Sequence, residues 1–165
     1  FLMTYGWAFL VILIMIGALA YFGLLNPTKF LPERCTFGAQ MACKDHKFSL
    51  LENTVTLRLQ NNFGSSISII EASTTATTPD GFACGAPTIT DTDLTTPYGL
   101  DAESHTLIPE GETFVITFSG CNFATAGGSE GEKFKTDVAV NYYDPRSGSA
   151  FAHSTQGEVF ATIEP

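Results

Sequence analysis

The first 25 residues, FLMTYGWAFLVILIMIGALAYFGLL, contain no charged side chain, and the first charge in the chain is Lys29. At about 1.5 Å of rise per residue such a run makes a rod of roughly 38 Å, enough to cross a hydrocarbon core of about 30 Å with some tilt. A helix on the surface of a soluble domain shows an apolar stripe and a polar face. Here Leu2, Met3, Trp7, Phe9, Leu10, Val11, Ile12, Leu13, Ile14, Met15 and Ile16 leave no room for a polar face. The segment is therefore expected to be covered on every side, by lipid or by protein. It is too long for the apolar part of a secretory signal, and no A-x-A-like cleavage site follows it, so it is expected to stay in the mature protein.

The remainder of the 165-residue chain has the opposite character and is long enough for one compact domain with a core of its own. All 8 basic and 17 acidic residues lie there, giving a formal charge of −9. Phosphate neutralisation needs clustered Lys and Arg, so nucleic acid is excluded as a partner. Cys35, Cys43, Cys84 and Cys121 all lie on this side as well. Four cysteines allow three pairings, and the spacing alone does not choose among them. Cys35 with Cys43 and Cys84 with Cys121 is favoured, because the near pair closes a short loop holding Gly38. No C-x-x-C occurs, which argues against a zinc site, and disulfides imply an extracellular setting.

Asn26-Pro27 marks a break and residues 26–34 a neck, since the residue before proline avoids helical geometry. Beyond it the hydrophobic period changes to two. Residues 54–60, TVTLRLQ, read as a half-buried strand, 61–65 as a turn, and 66–70 as the strand that completes a hairpin. Residues 73–101 are rich in Thr, Pro, Gly and Asp and read as loops with short strands near Phe82 and Ile89. Further strands are predicted at 106–108, at 113–118, at 134–143 with Phe134, Val138, Val140 and Tyr142 inward, and at 149–163 with a bulge at Gly157. The fold class expected is α+β, a long N-terminal helix over residues 1–25 followed by an antiparallel sandwich over residues 35–165.

An apolar helix starting at Phe1, a proline-containing neck (LLNPTKFLPERC) and a β-rich domain with cysteines together resemble the type IV pilins, and more closely their archaeal form. The segment VAVNYYDPRSGSAFAHSTQGEV is similar to the last hairpin of the immunoglobulin-like domain in that family. The resemblance implies a short basic leader removed by a membrane peptidase, and storage in the membrane before assembly. It also implies assembly by a dedicated ATPase and a polytopic membrane platform protein, into a homopolymer held by the N-terminal helices. Phe1, Leu2, Tyr5, Trp7, Phe9, Leu10, Leu13, Ile14, Ile16, Tyr21 and Phe22 are then the filament-core residues, with Trp7 beside Gly6 and Tyr21 beside Ala20 suited to interdigitation. Bacterial pilins carry a glutamate at the fifth mature position where this chain has Tyr5, and in some archaeal relatives a glutamate directly precedes the Phe, so the resemblance implies a native start a few residues before Phe1.

Chemistry-bearing patterns are sparse. Residues 127–131 match G-x-S-x-G, but a nucleophile elbow needs a strand before Ser129 and a helix after it, and a glycine-rich loop and a strand stand there instead. His46, His105 and His153 fall in separate segments without metal-ligand or triad spacing. Asp91, Asp93, Asp101 and Glu103 lack the spacing of a calcium loop. No haem-attachment motif is present, so neither enzyme activity nor a cofactor is expected. Thr74, Thr75, Thr77, Thr78, Thr92, Thr95 and Thr96 stand in Thr-rich runs of the kind that carry O-linked sugars in exposed segments. The function expected is that of a pilin for adhesion or surface contact. Alternatives are a membrane-anchored domain binding a ligand through residues 73–101, and a motility filament of the archaellum kind.

Overall fold

The computed structural model describes residues 2–25, 30–75, 81–92 and 97–165. Phe1, the first four residues of the neck (26–29), Asp93, Thr77, Thr78, Thr95 and Thr96 lie outside the described residues, as does the side chain of Thr75. The chain divides into two compact units, residues 1–32 and 33–165.

The first unit is one helix, α1 (Leu2–Tyr21), which has no buried residue. It stops short of the expected residue 25, and the reason is local. Gly23 takes φ +70, its N–H donates to the Ala20 carbonyl, and the Leu24 N–H donates to the Leu19 carbonyl. These are the paired bonds of a Schellman cap, which a left-handed glycine permits at low cost. The helix ends before Pro27 is reached.

The second unit is built from nine strands: β1 (Arg34–Thr36), β2 (Met41–Ser49), β3 (Thr54–Asn61), β4 (Ile67–Thr75), β5 (Pro87–Thr90), β6 (Thr106–Ile108), β7 (Thr113–Phe118), β8 (Lys133–Tyr143) and β9 (His153–Glu164). They do not form two separate antiparallel sheets. One barrel-like sheet runs β5-β7-β3-β2-β9-β8-β4-β6, with β1 laid on β9. The joint is β9, whose 12 residues pair with β8 along most of their length and then with β2 at Phe48↔Ile163 and Ser49↔Glu164. That last pairing is parallel.

The predicted hairpin of residues 54–60 with 66–70 is not formed. β3 pairs with β2 and β7, whereas β4 pairs with β8 and β6. Asn61 explains the crossover, because its buried side chain fixes the corner instead of leaving it as a simple turn. Its Nδ2 donates to the carbonyls of Ser65 (3.0 Å), Ile108 (3.1 Å) and Pro109 (3.1 Å), and its Oδ1 accepts from Phe63 N–H (3.0 Å). A buried amide satisfied from both ends ties the residue 62–66 connection to the end of β6.

Alternation places Val55, Leu57 and Leu59 of β3 against Phe114, Ile116 and Phe118 of β7 in the interior. Phe48, Phe82, Phe123 and Phe134 form an aromatic cluster with centroids 4.8–6.0 Å apart. Phe82 joins it from a loop, not from a strand. In β8 Phe134, Val138 and Val140 face inward as predicted, but Tyr143 and not Tyr142 is buried at its end, where β4 carries a register shift between Ile69 and Glu71. β9 has no bulge at Gly157, whose register with Val138 is regular. The glycine is there for closeness, since a Cβ would stand 2.4 Å from Cγ of Phe37.

Candidate functional site

Two features stand out as candidates for function, the bare helix and the surface loops of the β unit. In α1 Leu2 is 93% exposed, Trp7 69% and Phe9 64%, and Tyr5, Leu10, Leu13, Ile14 and Ile16 are all more than half exposed. Just beyond, the rings of Tyr21 and Phe22 meet edge to face at 5.6 Å. No atom lies within 4 Å of the Cβ position at Gly6 or Gly17, so each leaves an open notch on the rod. Neither end of α1 carries a charge that would complement the helix dipole. By length and composition it is the one helix among the described residues able to cross a membrane.

The β unit begins at Glu33, and this residue, which nothing in the sequence pattern singles out, anchors the chain to three strands. Its Oε1 accepts from the Thr162 N–H (3.0 Å) and from Lys133 Nζ (3.1 Å), while Oε2 lies 3.6 Å from His46 Nε2. The hydrogen bond from Thr162, followed by the Lys133 ammonium, brings its carboxyl down to about 2. Beside it Glu158 bridges Arg34 and Lys135. The favoured cysteine pairing is the one present: Cys35–Cys43 joins β1 to β2, and Cys84–Cys121 joins the segment before β5 to the segment after β7. Asn122 reinforces the second link, accepting from Ala83 N–H (2.7 Å) and donating to the Gly81 carbonyl (2.8 Å). The sulfurs of Cys35 and Cys43 lie within 4.8 Å of a His46 ring nitrogen, but as a disulfide they supply no thiolate to a metal.

Across residues 81–105 the described segments hug the sheet. Tyr98 donates from its hydroxyl to the Thr113 carbonyl at 2.8 Å, and isolated bridges join Thr90 to Pro97 and Leu100 to Thr106. Asp101 accepts from the N–H groups of Glu103 and His105 (2.9 Å each) and from the Tyr143 hydroxyl. His105 Nδ1 lies 3.0 Å from that same hydroxyl. Burial and the Asp101 carboxylate push Tyr143 up to about 12, so the ring stays a neutral donor. A cavity of about 440 Å³ opens between Ile70–Thr74 of β4 and residues 84–89. Thr74 lines it half-buried and accepts from the Cys84 N–H at 3.2 Å, while Thr92 is exposed.

The remaining patterns do not converge on chemistry. Ser129 sits on an exposed turn with neither a strand before it nor a helix after it. His46, His105 and His153 lie apart, on Glu33, on Tyr143 and against Tyr142 respectively. At the far end of the β8–β9 hairpin, a turn beginning at Asp144 closes over a group of aromatic side chains that the strand pattern alone does not single out: Phe63, Tyr142, Phe151 and His153. No family model matches this chain, and no curated protein is similar enough to it to count as a relative.

Proposed function

We propose that the chain is a structural subunit of an extracellular filament of the archaeal type IV pilus kind, serving adhesion or contact with surfaces, and not an enzyme. The observation that carries this reading is the helix: it is apolar all round, none of its described residues is buried, and it belongs to a unit separate from a β domain that has its own core. A rod of that kind is as content in a bilayer as in a bundle of identical rods, so one sequence serves both the stored and the assembled subunit. In this reading Leu2, Tyr5, Trp7, Phe9, Leu10, Leu13, Ile14, Ile16, Tyr21 and Phe22, with Phe1, pack the filament core. The β domain, braced by two disulfides and taken as a variant of the immunoglobulin-like arrangement, forms the coat. Thr92 is an accessible glycan acceptor. An assembly ATPase and a membrane platform protein are the partners during export of the subunit, and no nucleic acid or cofactor takes part.

Electron cryo-microscopy of filaments sheared from the source cells tests this. Side-chain density for FLMTYGWAFLVILIMIGALAYFG in a bundled helical core is the expected result. A chain found only as a detergent-extracted monomer replaces this reading with a single-span anchor displaying a binding domain.

A further inference from the structure

At the tip of the β8–β9 hairpin Phe63 and Tyr142 are half-buried against the edge of the core, and Phe151 and His153 extend that aromatic group into solvent. β8 spans 11 residues, which at about 3.3 Å each puts this tip roughly 30 Å from the end where Glu33 is bonded to Lys133 and Thr162. Phe63 and Tyr142 pack with centroids 4.6 Å apart, and His153 stands opposite Tyr142 in register with its ring 6.0 Å away. Phe151, on the short 3-10 turn Ser149–Phe151, is 66% exposed beside them. Together they line a cavity of about 420 Å³. Asp144 and Ser65 form the divide between it and a second depression of about 420 Å³ that contains Glu110 and Arg146. Both volumes fall within the range of about 300–1,000 Å³ typical of small-molecule sites.

The polar groups choose among ligands. Asp144 accepts from Arg146 at N–H (2.9 Å), at Nε (3.1 Å) and at Nη2 (2.6 Å), and from the Ser65 hydroxyl (3.3 Å). Its negative charge is therefore matched within the turn, and it is no counter-ion for a bound cation. A cage of rings around an unmatched carboxylate fits a quaternary ammonium; rings beside a compensated pair fit a neutral molecule. Gln40 lines the rim, and the Arg146 guanidinium, which meets Asp144 through Nε and Nη2, is largely exposed, so the two side chains offer donors and an acceptor to hydroxyl groups.

We propose that the tip of the β8–β9 hairpin is a binding site for a neutral disaccharide unit of a surface glycan, one pyranose ring stacked by its C–H face on Tyr142 and Phe151, the next held beyond Asp144 by Arg146. The inference rests on the adhesive reading above for its biological role, but the binding does not require a filament. It deepens that reading by placing contact at the end of the domain remote from Glu33.

Saturation-transfer NMR on the full chain tests it, in polyoxyethylene micelles so that no sugar or choline headgroup competes. The probes are maltose, lactose and cellobiose. Saturation of the ring C–H protons of at least one of them is expected, with affinity falling tenfold or more in Phe151→Ala and in Tyr142→Ala. Phe151 is exposed, so its variant keeps the wild-type circular dichroism and melting temperature even where Tyr142→Ala does not. Absence of transfer to all three disaccharides, unchanged affinity in Phe151→Ala, or transfer to choline methyl groups with none to the sugars each overturns the proposal. Filaments that assemble from a chain without sugar binding leave the pilin reading intact and remove this one; sugar binding without filaments does the reverse.

Discussion

Phe48, Phe114, Phe118 and Phe123 in the β domain have no exposed surface, whereas Trp7, Phe9, Ile14 and Met15 in α1 are each about 60–70% exposed. The two regions use the same kinds of side chain, and each such side chain is worth about 1.5–3 kcal/mol when taken out of water. The β domain collects that free energy within its own fold, from strands far apart in sequence. The helix cannot, because 3.6-residue periodicity points apolar groups in every direction and a single rod has no inside. What separates the regions is that one buries its apolar side chains within its own fold, whereas no described residue of the other is buried.

The sharpest way to break the comparison is to part the two units. A chain lacking residues 1–32 is expected to be a soluble monomer with both disulfides formed, and to lose membrane retention and self-assembly entirely. Its thermal unfolding should match that of the domain transition in the full chain. Light scattering and a differential scan check this; a domain that aggregates or melts broadly without the helix would show that the β unit also depends on outside cover.

Next in size is damage to the core that the helix lacks. Phe123 lies within 5.8 Å of the rings of Phe48, Phe82 and Phe134, so Phe123→Ala should cost the domain about 3–5 kcal/mol in denaturant titration. The helicity of α1 in micelles should not change. The disulfides come after it and are unequal. Chain-entropy arithmetic gives about 4 kcal/mol for Cys84–Cys121, which closes a separation of 37, and about 2.5 kcal/mol for Cys35–Cys43, which closes 8. Paired Cys→Ser variants should therefore rank in that order by urea midpoint, again without effect on the helix.

Legibility in the sequence divides along the same line. α1 was readable because its signal is local and one-dimensional, and it was misjudged only at its end, where the positive φ of Gly23 acted before Pro27 could. Strand positions were readable in part for the same reason: β3, β6, β7 and β8 fall within one or two residues of expectation, whereas β1 and β2 were not anticipated and β4 runs well past the expected residue 70. Strand pairing was not. Nothing in TVTLRLQNNFGSS distinguishes a hairpin turn from a crossover, since the choice lies in the carbonyls of Ile108 and Pro109, some 47 residues on, that Asn61 reaches. Gly157 looked like a bulge because a glycine in a strand often is one; the Phe37 ring that excludes its Cβ is 120 residues away. The aromatic tip was hidden in the same way, as Phe63 meets Tyr142 only through the sheet.

The smallest effect concerns the residue at which the second unit begins. Glu33 has its carboxyl lowered from the ordinary 4.5 to about 2 in the folded chain. A depressed carboxylate contributes stability in full above pH 4.5, and loses it as the pH falls from there through about 2, because the unfolded chain then takes up the proton more readily. Its side chain is 44% exposed, and solvent screening limits the contribution to under about 1 kcal/mol. The measurement is the urea midpoint of wild type and Glu33→Gln at intervals from pH 7 to pH 2. The gap between the two should be widest near neutrality, close between pH 4.5 and 2, and shrink in 1 M salt. A gap that is flat with pH would mean that the Lys133 and Thr162 contacts do not depend on the charge. If the gap closes as expected while the helicity of α1 in micelles stays constant across the titration, the ionisation of Glu33 belongs to the β domain alone, and the two units are energetically separate at the residue where they join.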